Sequence, residues 1–353
     1  MRNVFHFKSF LPAVMAVGLI ACYGFAQEEY QVSGDLAGDI AAQGHGAAAS
    51  NSGPFCGLFG GFCDSGDCCP RWTFAAEAIA LQRSTTRHQG LFKALDSELD
   101  LLDSRDMEFA MGFGPKVSAI WHGPCEVFDL EVGYWQVDGF TAERTVPGLS
   151  VMITDVHGPY FLVTDATARY TSALYNGEIN LRWHCLDWLV LFSGFRMGEM
   201  NERYRATGAG IVPPTTIAME VNTFNHLYGY QLGAEMEVFN RGGPLQIIAL
   251  CKAGAYGNAA SQNIRRTADG YSDEALSAVR DQAAFLGEAQ VVATLAITKQ
   301  LAFRASYQAV WLEGVALAPE QIAASDFVAG TATVDTAGGV FYHGAGLGLE
   351  YRF

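Results

Sequence analysis

Acidic and basic side chains recur at alternate positions along this chain. They are Glu108, Lys116, Asp129, Glu131, Glu178, Arg182, Arg196, Glu235, Glu237, Lys252, Glu288, Arg304, Glu350 and Arg352. Turned toward the inside of a closed sheet, such a set could do either of two things. The charges could pair with one another and hold the wall, because buried charges persist only when paired and hydrogen-bonded. They could instead line a narrow polar path for a small solute or a cation, favoured by an acidic excess. Both readings stay open at this point.

Hydrolytic chemistry needs a nucleophile or activated water, a base and an orienting group meeting at one rim. His157, His226 and His343 fall near candidate outer strand ends, and Asp155, Asp165 and Asp335 fall in connections. No motif ties them together. Lone histidines at strand ends are more often hydrogen-bonded interface residues, so no catalytic residue and no enzyme activity are expected. Gly208-Ala209-Gly210 and Gly338-Gly339 have no following helix or lysine and do not suit a phosphate cradle. No loop has the spaced oxygen ligands and glycine of a calcium site, so neither metal nor cofactor is expected.

Cys56, Cys63, Cys68 and Cys69 place four thiols in a short space. In an oxidising compartment they are disulfide candidates. A zinc knuckle is the alternative, but it lacks paired C-x-x-C spacing and any nearby histidine except His45. Cys125, Cys185 and Cys251 remain, so one cysteine is left unpaired if processing follows Ala26.

The start of the chain points to export. Met1 to Ala26 has cationic Arg2 and Lys8, an apolar stretch from Phe10 to Ala21 and a small-residue exit at Gly24-Phe25-Ala26. This is the pattern of a cleaved secretory signal. Leu19-Ile20-Ala21-Cys22 also resembles a lipoprotein box, but an integral barrel gains nothing from an acyl anchor. Residues 27–70 are rich in Ala and Gly without sustained periodicity and suit a flexible periplasmic arm ending in the cysteine cluster.

The remainder, 71–353, must supply the elements. The chain has 353 residues, 50% apolar and only 17% charged, yet no apolar run after the N-terminus is long enough to cross a bilayer as a helix. Strands that show one face to lipid satisfy both facts. Alternation predicts ten strands, near 71–83, 107–121, 125–136, 166–183, 187–199, 219–239, 244–257, 284–298, 300–312 and 340–353. Their connections alternate short and long, the long ones covering about 84–106, 137–165, 200–218, 258–283 and 313–339. Short inner turns and long outer loops are the outer-membrane pattern.

Faces and tryptophans agree with this register. Phe128, Leu130, Val132 and Tyr134 oppose Asp129, Glu131 and Gly133, while Phe109, Met111, Phe113 and Val117 oppose Glu108, Gly112 and Lys116. Trp188 to Glu199 is apolar on both faces and fits least well. Trp72, Trp121, Trp183 and Trp188 fall at the short-turn ends and Trp135 and Trp311 at the opposite ends, as expected of rings at two membrane interfaces. The fold class expected is therefore all-β, a transmembrane antiparallel up-and-down barrel of about ten strands. A soluble secreted β-sandwich is the bland alternative.

Several motifs carry a family likeness across roughly Arg71 to Phe353. Tyr175-Asn176-Gly177-Glu178-Ile179-Asn180-Leu181-Arg182, Ser193-Gly194-Phe195-Arg196 and Asn225-His226-Leu227-Tyr228-Gly229-Tyr230-Gln231-Leu232-Gly233 come first. Lys252-Ala253-Gly254-Ala255-Tyr256-Gly257-Asn258, Phe285-Leu286-Gly287-Glu288 and the stretch from Trp311 to Gln321 follow in order. Together they resemble the β-barrel porin family of type seven. The resemblance implies a secreted porin-like outer-membrane barrel, with no catalytic residues and no substrate to carry over. The last residues, Gly348, Tyr351 and Phe353, also resemble the signal read by the barrel-assembly machinery, with Gly346 where a polar residue is usual.

The expected partners are outer-membrane lipid and that machinery. A net charge of −15, with acidic stretches such as 96–103, argues against nucleic acid. Porin-like conduction of small solutes or cations is the first expectation for function. A closed structural or adhesive barrel working through its long outer loops is the second.

Overall fold

The structure, a computed structural model, describes residues 72–95, 99–123, 128–153, 161–211, 215–270 and 272–353. The export signal, the arm and the cysteines at 56, 63, 68, 69 and 125 lie outside the described residues, as do Asp155 and His157. The strands are β1 (Trp72–Arg83), β2 (Gly90–Lys93), β3 (Asp100–Asp103), β4 (Gly112–His122), β5 (Phe128–Met152), β6 (Phe161–Leu186) and β7 (Leu189–Gly210). They continue as β8 (Thr216–Asn240), β9 (Leu245–Ala268), β10 (Glu274–Ala296), β11 (Leu301–Val315), β12 (Ser325–Asp326), β13 (Thr331–Ala332) and β14 (Gly338–Arg352).

Ten of these form one antiparallel ring. Its order is β5-β4-β1-β14-β11-β10-β9-β8-β7-β6, and the pairing of β6 with β5 closes it. The two chain-end strands seal against each other, with Phe74 opposite Tyr351 and Glu77 opposite Gly348. Where all ten strands pair, closure leaves no open edge, the condition for placing a sheet in hydrocarbon.

The strands run farther than the alternation of apolar outward residues suggested. Three connections expected as long loops, 137–165, 200–218 and 258–283, are mostly wall: β6 alone has 26 residues and β8 has 25. Such a strand has a contour of about 80 Å and a height of about 60 Å after tilting, against a lipid belt about 25 Å tall. The reason lies in a swap of polarity at constant parity. On β7 the outward series passes from Phe195 and Met197 to Glu199, Asn201, Arg203 and Arg205, while the inward series passes from Arg196 to Met200, Tyr204 and Ala206. On β8 the outward Leu232, Tyr230 and Tyr228 give way to Asn222 and Glu220, and inward Glu235 and Gln231 give way to Leu227, Val221 and Met219. Lipid outside demands one pattern and water outside the reverse.

The molecule therefore has two tiers. In the lower tier, at the short-turn end, Phe113, Leu130, Ile179, Phe195, Leu232, Val291, Phe303, Leu347 and Leu349 are exposed in a continuous apolar belt. On β10 the belt runs from Phe285 to Leu295, matching the roughly 9–11 residues a tilted strand needs to cross hydrocarbon. The upper tier is a water-facing curved sheet, made of β5 to β10 where they outrun β4 and β11, over an apolar core that includes Phe140, Tyr170, Tyr204, Met219, Val221 and Tyr342.

The two remaining long connections both send side chains inward, the first as a β2-β3 hairpin added to the sheet at the upper end of β5 and the second as a segment folded into the barrel. Leu91, Phe92, Met107 and Phe109 of the first, and Leu317, Ala318 and Ile322 of the second, all join that core. Gly314 starts the second inward turn, with φ +84° at a register shift in β11. A Cβ there would lie 2.6 Å from the Ala283 carbonyl oxygen, so only glycine fits.

Tryptophan placement is corrected at one position. Trp72, Trp183, Trp188 and Trp311 are exposed on the wall, but Trp135 is 3% exposed and points into the barrel beside Arg196. Parity with Asp129 and Glu131 puts it on the inner face. The poorly patterned strand β7 has a similar cause: Phe192 turns inward, packs where Gly233 has no side chain, and carries Arg182 and Lys252 on its ring.

Candidate functional site

The inner face of the lower tier is a column of ion pairs. Nearest the short-turn end, Asp129 Oδ2 lies 3.0 Å from His122 Nδ1 and 2.9 Å from His184 Nε2. One step up, Arg182 reaches Glu131 and Glu235, each at 2.9 Å. Lys252 pairs with Glu178, whose other oxygen accepts from Gln231 Nε2 at 2.8 Å. Arg196 meets Glu288 at 2.8 Å, and Lys116 Nζ stands 3.8 Å from the same carboxylate and 2.8 Å from Gln308 Oε1. On the opposite wall Arg304 bridges Glu77 at 2.6 Å and Glu350 at 2.9 Å, and Arg352 closes on Glu350 at 2.6 Å.

Many of these pairs cross the ring. Lys116 on β4 bonds to groups on β10 and β11, Arg196 on β7 to Glu288 on β10, and Lys252 on β9 to Glu178 on β6. Every carboxylate named has a lysine, arginine or histidine within ion-pair range, so the column is paired throughout.

Above it the apolar core crosses the barrel outright. The Tyr342 hydroxyl donates to Met200 Sδ at 3.5 Å. These residues stand on opposite sides of the ring: β11, β10, β9 and β8 separate β14 from β7 one way round, and β1, β4, β5 and β6 the other. Within this core Arg83 and Glu202, both with fully buried side chains, form an ion pair. Tyr170 donates to Glu202 at 2.5 Å, and Arg83 lies over the rings of Phe109 and Tyr170.

The same Glu202 accepts from the backbone N–H of Ala318 at 2.9 Å, tying the inward segment to the wall. Asn225 adds a two-way clasp, donating to the Ala316 carbonyl at 2.9 Å and accepting from its N–H at 2.7 Å. Asn258 holds the Gly314 carbonyl at 3.0 Å, and Arg280 holds that of Val334 at 3.2 Å. Burial holds the Glu320 carboxyl above its ordinary range despite the opposing charge of Arg87.

Most residues expected to face the lumen do so, with exceptions at its ends. Glu108 precedes β4 and faces out, its side chain 81% exposed, pairing with Arg144 at 3.0 Å. The pattern reverses there because Phe109 is drawn inward under Arg83. Glu237 sits at the lower rim beside a register shift and accepts from Asn240 and Gln246, and Arg352 is half exposed at the same rim. Pattern reasoning overlooked Glu77, His122 and His184, and the inward amides Asn176, Asn180, Gln231, Gln290 and Gln308. Glu77 shares a face with Ala75 and Ile79, and parity alone would have found it.

The histidines named for hydrolysis are dispersed. His226 is on the outer wall of β8 beside Glu199 at 3.6 Å, and His343 is on the outer wall of β14 against the Tyr307 hydroxyl at 2.8 Å. Asp165 accepts from the Gly148 N–H and Asp335 from that of Ala337. At the C-terminus Tyr351 and Phe353 point outward, Phe353 stacks on Phe74 with centroids 5.6 Å apart, and its backbone exchanges two 3.0 Å bonds with Trp72.

A closed antiparallel ring, an apolar belt about one bilayer tall and a polar interior occur together in this chain. The architecture is that of an outer-membrane β-barrel. Similar solved structures include the outer membrane protease OmpT from Escherichia coli, 12% identical, covering 80% of this chain and 96% of that one at a TM-score of 0.47. The translocator domain of the autotransporter NalP from Neisseria meningitidis is 10% identical over 82% and 90% of the two chains, at 0.38. The toluene transporter TodX from P. putida is 7% identical over 80% and 90%, at 0.30. At this distance no residue role passes from them to this chain. No family model and no curated protein matches the sequence.

Proposed function

We propose that this chain is an integral outer-membrane barrel, porin-like in architecture, that is closed in the state described and works at the cell surface through its projecting upper tier. The observation that carries this reading is the contact of Tyr342 with Met200 across the full width of the ring, above a column of paired charges. The surface on offer is a strand wall bearing Arg144, Arg169, Arg203 and Glu220, in place of the long outer loops first expected. Export by a cleaved signal and insertion by the barrel-assembly machinery through Gly348, Tyr351 and Phe353 belong to the same proposal. So do the absence of enzyme activity and membership of the type seven porin family, for which the order of the sequence motifs is the support.

One observation favours the conduit reading. The amide nitrogens of Asn176, Asn180, Gln290 and Gln308 are buried in the lower lumen without a protein hydrogen-bond partner. Such donors suit water or a passing polar solute.

Planar-bilayer recording of the refolded full chain, after a heat-modifiability check on a detergent gel, separates the two. A silent, heat-modifiable barrel is the expected result. Stable single-channel steps from the unaltered protein would overturn the closed reading, and Glu235→Ala and Lys252→Ala would then be expected to change the conductance.

A further inference from the structure

On and just before the β2-β3 hairpin, at the upper end of the sheet, lies a cluster that the lumen does not use. His88, Asp100 and Asp103 bring one nitrogen and two carboxylate oxygens within 4.8 Å of one another. His88 Nε2 is 3.1 Å from Asp103 Oδ2 and 3.4 Å from Asp100 Oδ2. With metal–donor bonds of about 2.1 Å, neighbouring donors stand about 3.0 Å apart in an octahedron and about 3.4 Å apart in a tetrahedron. The observed separations fall on those edges.

An independent observation points to a ligand. The Asp103 side chain is only 9% exposed, and its Oδ2 accepts no hydrogen bond, despite the approach of His88. Its other oxygen is fully engaged, accepting from the Arg105 backbone N–H at 2.8 Å and from Arg105 Nε at 3.1 Å. Arg105 thus fixes the carboxylate so that Oδ2 faces the His88 ring, the task of an outer-shell partner in a metal site. Asp100 presents Oδ2 to the same ring, and its Oδ1 is buried without a partner. Two carboxylates facing one imidazole in a largely enclosed place are costly unless a cation joins them.

The backbone that carries the ligands is held in place. Asp103 ends β3, and Ser104 bonds to the carbonyls of Arg87 and Gln89 on either side of His88. Arg87 in turn pairs with Glu320 of the second inward segment at 3.2 Å. His88 itself is 57% exposed, which leaves an entry path from solvent.

We infer that His88, Asp100 and Asp103 form a binding site for a divalent first-row transition cation, with the remaining positions open to water. One imidazole and two carboxylates form a borderline-to-hard donor set suited to Mn(II) or Zn(II). Mn(II) is the probe of choice, because the thiols between Cys56 and Cys69 compete poorly for it.

The test is titration of the refolded full chain in detergent with Mn(II) alone, following loss of the free aqueous ion's paramagnetic resonance signal. One equivalent should bind. His88→Ala, a change at an exposed position, should weaken binding at least about tenfold, as should Asp103→Asn, while Glu143→Gln on the outer wall should leave it intact. Heat-modifiable mobility of each variant checks the fold, and His88→Ala decides alone if Asp103→Asn fails to assemble. Unchanged affinity in His88→Ala, or no bound ion up to about 1 mM Mn(II), would overturn the site.

Discussion

The lower and upper tiers share six strands, β5 to β10, and have opposite interiors. Below, β7 and β8 show Phe195, Leu232 and Tyr230 outward and hold Arg196, Gln231 and Glu235 inside; above, they show Arg203 and Glu220 outward and hold Tyr204 and Val221 inside. On these two strands side-chain parity is unbroken through the switch, so there it is one of solvent and not of backbone, whereas on β5 a register shift between Val137 and Phe140 moves the inward series from odd to even positions. A barrel wall is indifferent to which face is apolar, and the medium on each side decides. The lower tier then resembles a membrane protein, and the upper tier an ordinary soluble core wrapped in a sheet.

That contrast can be tested by placing charge, or removing it, at matched points. The largest effect is expected at Arg83 in the upper core. Arg83→Leu leaves Glu202 charged and enclosed, and should cost about 3–5 kcal/mol in denaturant unfolding from detergent. A loss below about 1 kcal/mol would mean that water reaches this core.

A charge on the outer wall should then distinguish the tiers directly. Leu347, 58% exposed in the belt, should lose about 2–4 kcal/mol on change to Arg when unfolding is followed in lipid bilayers. Asn222→Arg, outward on the upper tier, should stay within about 0.5 kcal/mol. Equal costs at the two sites would erase the boundary drawn between them.

Gly314→Ala probes how the inward segment is launched. The left-handed backbone and the nearby Ala283 carbonyl predict a loss of about 1–3 kcal/mol, with faster hydrogen exchange confined to residues 314–337 if that segment is released locally.

The smallest effect should be at Glu320, whose carboxyl is held above its ordinary range by burial. A raised folded value means that the stabilisation is complete below the unfolded value, near 4.3, and is lost as pH rises through the folded one. Glu320→Gln cannot ionise. It should therefore show a smaller fall in unfolding midpoint across that window than the unaltered protein, and an identical pH profile would remove Glu320 from the account.

Much of the lower tier was legible before any coordinates. The alternation around Asp129 and Glu131, the exposed tryptophans at 72, 183 and 188 and the short turns were sufficient to define ten strands and their inward charges. The upper tier was less visible. Its strands carry polar residues outside and apolar residues inside, so Met200 to Gly210 reads as loop to a search keyed to lipid-facing residues. Glu108 was misplaced because the inward pull on Phe109 reverses the pattern just before β4.

The sequence alone determined a closed antiparallel barrel, because period-two alternation with no helical span leaves strands as the only way across a bilayer, and strands in hydrocarbon must close. Only the tertiary structure decided what fills it. Which carboxylate meets which cation, whether residues 313–339 turn out to solvent or into the core, and whether Tyr342 meets Met200 depend on side chains brought together from opposite walls. Sequence periodicity records the face a residue occupies, but not its partner across the ring.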